Sequence, residues 1–98
     1  MVQRVRHAGV DPLRTCDQSR WLVVRDRQSR PLEFRQLEPL TDLRAVMRAK
    51  HAEFVARGWV AGELKANRGF FFCERENERI CVSVEAYEPG HVSHGYRP

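Results

Sequence analysis

The feature that most restricts the fold is one amphipathic segment in the middle of the chain. Between Thr41 and Arg57 the apolar residues recur at the 3.6-residue period of a helix, and Gly58 follows directly. Thr41 is suited to cap the first turn, and Gly58 is suited to end the last one because glycine tolerates a positive φ. We therefore predict one long helix over residues 41–57. The side of it that should lie on a sheet comprises Leu43, Val46, Met47 and Phe54.

Two other sets of residues on this helix need an explanation. Lys50 falls within the apolar side, where we expect its alkyl stem to cover apolar surface and its ammonium to reach water. On the nearly opposite side alanines recur at helical spacing. They fit either a surface built from the best helix former, or close packing against the N-terminal arm or a second copy of the protein. These alanines are Ala45, Ala49, Ala52 and Ala56.

The segments on either side of the helix have the pattern of strands. Residues 21–24 and 32–35 are short bulky or alternating runs that flank a turn, so they predict a β-hairpin. Three more strands are predicted over residues 60–64, 70–74 and 79–87. Because short turns join consecutive strands, the sheet should be antiparallel. The sequence predicts a single small α+β domain in the order ββαβββ, with one long helix packed on one face of the sheet.

The length and the turn residues divide the chain into three parts. A chain of 98 residues can bury one core and is too short for two domains. Residues 1–19 have no regular period and predict an N-terminal arm. Residues 20–88 form the predicted core domain, and residues 89–98, rich in glycine, proline and histidine, predict an extended C-terminal tail.

The cellular compartment is indicated by the absence of targeting patterns. The longest uncharged apolar runs are far shorter than the roughly 20 residues that span a membrane, and no apolar stretch follows the basic N-terminus as it would in a secretory signal. Cys16, Cys73 and Cys81 have no CxxC spacing, which favours reduced thiols. We expect a cytoplasmic protein that makes no contact with a membrane.

The register of the last hairpin decides which of three consecutive phenylalanines is buried. Phe70 and Phe72 point to one side of their strand and Phe71 to the other. If Asn77 takes the left-handed conformation in a three-residue turn, Phe70 and Phe72 lie in the core; we favour this register because asparagine adopts that conformation more readily than glutamate. The alternative register buries Phe71 and exposes Phe70 and Phe72 as a stacking surface beside Arg68.

The favoured register also places two cysteines side by side. Cys73 and Cys81 would lie directly opposite each other on neighbouring strands, where oxidation could join them in a strained disulfide. We expect two packed thiols there.

Residues 68–75 partly resemble the core octapeptide of the RNA-recognition motif. That octapeptide opens with a basic residue, a glycine and an aromatic residue, and its aromatic side chains stack on bases. The resemblance implies base stacking by Phe70 and Phe72. Phe71 stands where the family has a small residue, and Arg75 where it has an aromatic one. The next segment also predicts a strand where the family has a helix, so we do not place the chain in that family.

No pattern in the sequence points to catalysis. There is no Ser-His-Asp, Cys-His or HExxH arrangement, no phosphate-binding loop and no dinucleotide-binding glycine motif. His91 and His94 lie three apart without a cysteine or carboxylate cluster beside them. We expect no metal and no cofactor; a small enzyme or ligand pocket between the helix and the sheet stays open as a third hypothesis, which rests only on how common such folds are.

Two binding functions remain. We expect a non-catalytic binding or adaptor module that acts through protein–protein contact, including contact with a second copy of itself, with the alanine side of the helix or an exposed strand edge as the surface. The alternative is a module for single-stranded nucleic acid, to which the net charge of +4 would contribute. Its contact residues would be Arg25, Arg35, Arg68, Phe70 and Phe72.

Overall fold

The computed structural model of the chain describes residues 11–65 and 68–90. These residues form one five-stranded antiparallel sheet and one helix, in the predicted order ββαβββ. The elements are β1 (Arg20–Arg25), β2 (Pro31–Leu37), α1 (Leu43–Ala56), β3 (Val60–Ala61), β4 (Phe70–Arg75) and β5 (Glu78–Glu85). The prediction of a small α+β domain is confirmed. In this part of the chain no helix is long and apolar enough to cross a membrane.

The connection through α1 determines how the sheet is covered. The strand order across the sheet is β2-β1-β5-β4-β3, so β2 and β3 are the two edge strands. Since α1 joins β2 to β3, the helix runs from one edge of the sheet to the other across a single face. The second face carries no helix among the described residues.

The core lies between α1 and the face of the sheet that it covers. Leu43, Met47 and Phe54 are buried and Val46 is partly buried, which confirms the predicted apolar side of the helix. One buried side chain, Leu13, comes from the segment interpreted as an arm. The buried cluster comprises Leu13, Leu22, Val24, Leu37, Leu43, Met47, Phe54, Phe71, Cys73, Ile80 and Val82.

The ends of α1 match the prediction at the C-terminus and differ by one residue at the N-terminus. Asp42 is the N-cap, because its carboxylate accepts a hydrogen bond of 3.0 Å from the amide of Ala45. The prediction of Thr41 was wrong, since its hydroxyl donates to the carbonyl of Glu38 instead. Gly58 has a φ of +93° and ends the helix as predicted.

Lys50 contradicts the expectation that its ammonium reaches water. The residue is 8% exposed, and its Nζ donates to Glu33 Oε2 at 2.7 Å and to Glu53 Oε2 at 3.4 Å. Glu33 is on β2 and Glu53 is on α1, so the ammonium is held between the helix and the sheet. Two carboxylates replace water as its partners, which makes the burial of this charge tolerable.

The hairpin of β4 and β5 has the register that we did not favour. Phe71 is directly opposite Val82, and Glu76 rather than Asn77 takes a positive φ, at +55°. The loop therefore has two residues between Arg75 and Glu78 and not three. A two-residue loop shifts the pairing by one position, which moves every side chain of β4 to the other face.

The same shift separates the two cysteines predicted to be neighbours. Cys73 is opposite Ile80 and is fully buried under α1, whereas Cys81 is opposite Phe72 on the other face of the sheet. All three cysteines are free thiols, which agrees with the prediction. Since Cys73 and Cys81 lie on opposite faces, the geometry excludes a bond between them in the folded state.

Candidate functional site

The candidate site is the face of the sheet opposite α1, which we call the open face. Its residues are arranged in rows because neighbouring strands are in register. One row runs across four strands and contains Phe70, Ser83, Val23 and Phe34. Within the described residues no helix packs on this face, so its side chains meet solvent or one another.

Two pairs of aromatic side chains stand on the open face. Phe70 and Phe72 project from β4 with ring centroids 5.7 Å apart, and they are 38% and 41% exposed. Trp21 on β1 and Phe34 on β2 form the second pair, also with centroids 5.7 Å apart. Two strand spacings, about 9–10 Å, separate β4 from β1. The aromatic pairs therefore flank a strip that belongs to β5 and β1.

Two arginines lie over the rings of the β4 pair. The guanidinium carbon of Arg79 is 4.5 Å from the ring centroid of Phe72, and that of Arg68 is 5.7 Å from the ring centroid of Phe70. Arg79 also lies 3.7 Å from a carboxylate oxygen of Glu74, with both side chains largely exposed. Guanidinium groups in this position carry positive charge and offer a flat surface for stacking.

An ion pair occupies the strip between the aromatic pairs. Arg25 donates to both carboxylate oxygens of Glu85 at 3.0 and 2.7 Å, and the hydroxyl of Ser83 donates to the same carboxylate at 2.7 Å. Arg25 and Glu85 lie on opposite sides of the Val23–Ser83 position in the β1–β5 ladder, so their side chains meet over Val23, which is fully buried. Hydrogen bonding from Arg25 lowers the pKa of Glu85, so the strip carries a balanced pair of charges at neutral pH.

The thiol on the open face is not activated. Burial, followed by the nearby carboxylate of Glu85, raises the pKa of Cys81. Burial also raises the pKa of Cys73 on the helix side, to about 11. Both groups are neutral thiols at physiological pH, and a neutral thiol is a poor nucleophile. Cys81 thus contributes a small apolar surface beside Phe72.

The residues proposed from sequence for nucleic-acid contact fall into three groups. Arg68, Phe70 and Phe72 lie together on the open face. Arg25 lies on the same face, but its guanidinium is engaged by Glu85 and by the carbonyl of Ser29. Arg35 is opposite Leu22 in the β1–β2 ladder, so it belongs to the helix side of the sheet.

Sequence reasoning missed three members of the open face. Trp21 and Phe34 join the site because β1 pairs with β5, which comes about 60 residues later in the chain, and Arg79 joins it because β5 pairs with β4. The only signal in the sequence was the alternation of side chains between the two faces of a strand. Phe34 lies between two charged residues on an alternating strand, which places it on the face opposite theirs.

The alanine side of α1 lies elsewhere on the molecule. Ala45 is half-buried, and Ala49, Ala52 and Ala56 are exposed on the helix. They are separated from the open face by the thickness of the helix and the sheet.

One cleft, with a volume of about 580 Å³, lies where the end of α1 meets the two hairpin loops. Trp59 lines it, with the guanidinium carbon of Arg75 at 4.3 Å from a ring centroid of the indole, and Arg75 pairs with Glu78 at 3.1 Å. The lining residues include no serine, cysteine, histidine or lysine. Its acidic groups are the carboxylates of Asp26, Glu33 and Glu78, and each of them forms an ion pair, with Arg30, Lys50 and Arg75 respectively.

Metal binding has no support in the part of the chain that the structure describes, where no three histidine, cysteine or carboxylate side chains form a cluster suited to an ion. His91 and His94 lie outside that part. Comparison with protein-family models, with curated proteins and with solved structures found no match. The reasoning on function therefore depends on the open face itself.

Proposed function

We propose that the open face binds single-stranded nucleic acid by stacking bases on its two aromatic pairs. The observation that carries this proposal is the contrast within one strand: Phe71 is 2% exposed, while Phe70 and Phe72 lie side by side and are 38% and 41% exposed. Exposed aromatic clusters on a monomer surface commonly mark a binding site. Aromatic rings that project from an uncovered sheet are the usual platform for unpaired bases.

The geometry favours unpaired bases over a duplex. A duplex hides the flat surfaces of its bases inside the stack, so rings on a flat sheet cannot reach them. A single strand can turn successive bases onto Phe70 and Phe72 and then cross the strip of Arg25 and Glu85 to Trp21 and Phe34. Each stacked base contributes about 1–3 kcal/mol. The aromatic pairs provide room for about two to four bases, at about one base per ring.

The arginines supply the contact with phosphate or a second stacking surface. Arg68 and Arg79 lie over the rings of Phe70 and Phe72, so each can stack on the far side of a bound base or turn to the phosphate next to it. Among the described residues these are the two cations that lie over the rings of β4, and Arg25 is already paired with Glu85, so few counterions should be released on binding. A slope of about −1.4 in log K against log salt is expected for two phosphate contacts on a single strand.

The proposal includes the cytoplasm as the place of action. The three free cysteines suit a reducing compartment, and single-stranded RNA is abundant there.

Fluorescence anisotropy with labelled oligo(U) and oligo(dT), each of about 12 nucleotides, tests the proposal. Binding to the single strands should be at least tenfold tighter than binding to a duplex of the same length, by the cost of unstacking. Phe72→Ala should weaken single-strand binding by about tenfold or more. Val55→Ala, which shortens an exposed apolar residue on α1, is the matched control.

Two results would exclude this function. One is the absence of any binding to either oligonucleotide at low salt. The other is equal affinity of the wild type and a Phe70→Ala/Phe72→Ala variant, because that would place the contact away from the open face. Circular dichroism and a thermal melt should show that the variants are folded.

A further inference from the structure

The outer edge of β2 exposes backbone groups that the proposed stacking of bases does not involve. β2 pairs with β1 on one side, and on its other side no strand from residues 11–65 or 68–90 pairs with it. Its residues from Pro31 to Gln36 are all exposed. An edge of this kind presents unpaired amide and carbonyl groups that can extend the sheet with another strand.

The side chains of β2 alternate in charge as well as in direction. Glu33 and Arg35 lie on the helix side of the sheet, and Phe34 between them lies on the open face. Glu33 is positioned by Lys50, whose Nζ is 2.7 Å from its carboxylate. Arg35 is exposed and forms no ion pair within residues 11–65 and 68–90. The strand therefore has an anchored anion and an available cation on the same side, two positions apart.

A two-fold axis perpendicular to the sheet restricts how two such strands can pair. In an antiparallel pair, residues directly opposite each other lie on the same face of the sheet. The axis must therefore lie midway between one residue of β2 and the same residue of the second copy. An axis at Glu33 or at Arg35 places like charges directly opposite, which is destabilising. An axis at Phe34 places Glu33 opposite the partner's Arg35 and, by symmetry, Arg35 opposite the partner's Glu33. The two Phe34 rings then lie opposite each other.

We propose that β2 pairs antiparallel with β2 of a second copy, centred on Phe34, and joins two five-stranded sheets into one of ten strands. Two reciprocal ion pairs between Glu33 and Arg35 fix the register, and contact between the Phe34 rings adds apolar burial on the open face. This association does not require nucleic acid, and nucleic-acid binding by one copy does not require it.

The edge also limits the strength of the pairing. Pro31 has no amide hydrogen to donate, and the β1–β2 register shifts between Val24 and Arg25, which marks a bulge near Leu32. Regular pairing is therefore confined to the centre of the strand. The area buried is smaller than that of a standard interface, so the dissociation constant should be micromolar or weaker.

Sedimentation velocity over a concentration series measures the association. The wild type should pass from monomer to dimer as its concentration rises. Arg35→Glu places two carboxylates opposite each other at both ends of the pairing, and it should weaken the dimer by about tenfold or more. Arg48→Glu makes the same change of charge at an exposed position of α1 and should leave the dimer unchanged. The double variant Glu33→Arg/Arg35→Glu restores complementary pairs and should restore dimerisation.

A cross-linking experiment covers the case in which loss of the Lys50 partner unfolds the double variant. In a Cys16→Ser/Cys81→Ser background, Phe34→Cys should form a covalent dimer with a short bis-maleimide, because the two positions lie opposite each other. Gln36→Cys, two residues along the same face, should cross-link poorly. The pairing would be overturned by a monomer at every concentration, by an Arg35→Glu variant that dimerises like the wild type, or by equal cross-linking at the two positions. The edge would then be left to a strand of another protein.

Discussion

Phe71 lies directly opposite Val82 in the β4–β5 ladder, and both side chains are buried beneath α1. Because side chains alternate along a strand, this one pairing places Phe70 and Phe72 on the open face. It also gives Phe71 a structural role and its two neighbours a role at the surface. Replacing Phe71 should therefore change the stability of the fold, and replacing Phe70 or Phe72 should change binding.

Phe71→Ala should lower the free energy of unfolding by about 3–5 kcal/mol, because it removes a buried ring and leaves a cavity. Phe70→Ala, at a partly exposed position on the open face, should lower it by much less, about 1 kcal/mol. Urea unfolding followed by circular dichroism gives both values. Equal losses for the two variants would contradict the register described above.

The salt dependence of nucleic-acid binding should identify the arginines that contact phosphate. If Arg68 and Arg79 each neutralise one phosphate, replacing either by glutamine should reduce the slope of log K against log salt by about 0.7. Arg48→Gln, on the exposed side of α1, serves as the control. An arginine that acts only by stacking would lower the affinity and leave the slope unchanged.

The ion pair of Arg25 and Glu85 should make stability depend on pH. Its hydrogen bonds lower the pKa of Glu85 in the folded state below the unfolded value of 4.5, so the contribution is fully present above that value. It is lost as the pH falls through the folded-state pKa. Glu85→Gln should therefore be about 1 kcal/mol less stable than the wild type at pH 7.

The difference between wild type and Glu85→Gln should shrink as the pH falls below 4.5 in a series of urea titrations. Asp11 and Asp26 also have lowered pKa values, in both cases chiefly through hydrogen bonds from backbone amides. They affect both proteins equally, so only the difference reports on Glu85. A constant difference from pH 7 to pH 3 would argue against the contribution of its charge.

The two cysteines of the last hairpin should behave as separate thiols. Cys73 is fully buried, so iodoacetamide should modify it only after denaturation, while Cys81 should react slowly in the folded protein because its pKa is raised. Mild oxidation should produce no bond between them. Mass spectrometry of tryptic peptides would reveal a linked pair, which would require a register different from the one described.

The elements of the fold could be predicted because each depends on a short stretch of sequence. The helical period between Leu43 and Phe54 and the glycine at position 58 are local signals, and both were interpreted correctly. The cap was predicted one residue too early, because Thr41 and Asp42 are both residue types that cap helices and only the hydrogen bond from the amide of Ala45 identifies Asp42.

The wrong predictions concern contacts between residues far apart in sequence, or a choice between two neighbouring residues that fit the same position. The register depended on whether Glu76 or Asn77 takes the left-handed conformation, and burial of Phe71 beside Val82 outweighed the intrinsic preference for asparagine. The pairing of Lys50 with Glu33 crosses from α1 to β2, which no periodicity reveals.

The candidate site was predicted only in the part that one strand contains. Arg68, Phe70 and Phe72 are adjacent in sequence and remain together in the structure. Trp21 and Phe34 come from the first hairpin, and their position on the same face as Phe70 and Phe72 could not be inferred before the strand order was known.

The position of β5 in the middle of the sheet has a consequence for biogenesis. β1 and β2 form one ladder and β3 and β4 another, and no backbone ladder joins the two until β5 lies between them. Glu78–Glu85 also comes last in chain order among the five described strands. The two sides of the described sheet are therefore joined only through β5, and in a chain that grows from its N-terminus the complete five-stranded ladder can form only after residue 85 is available to pair.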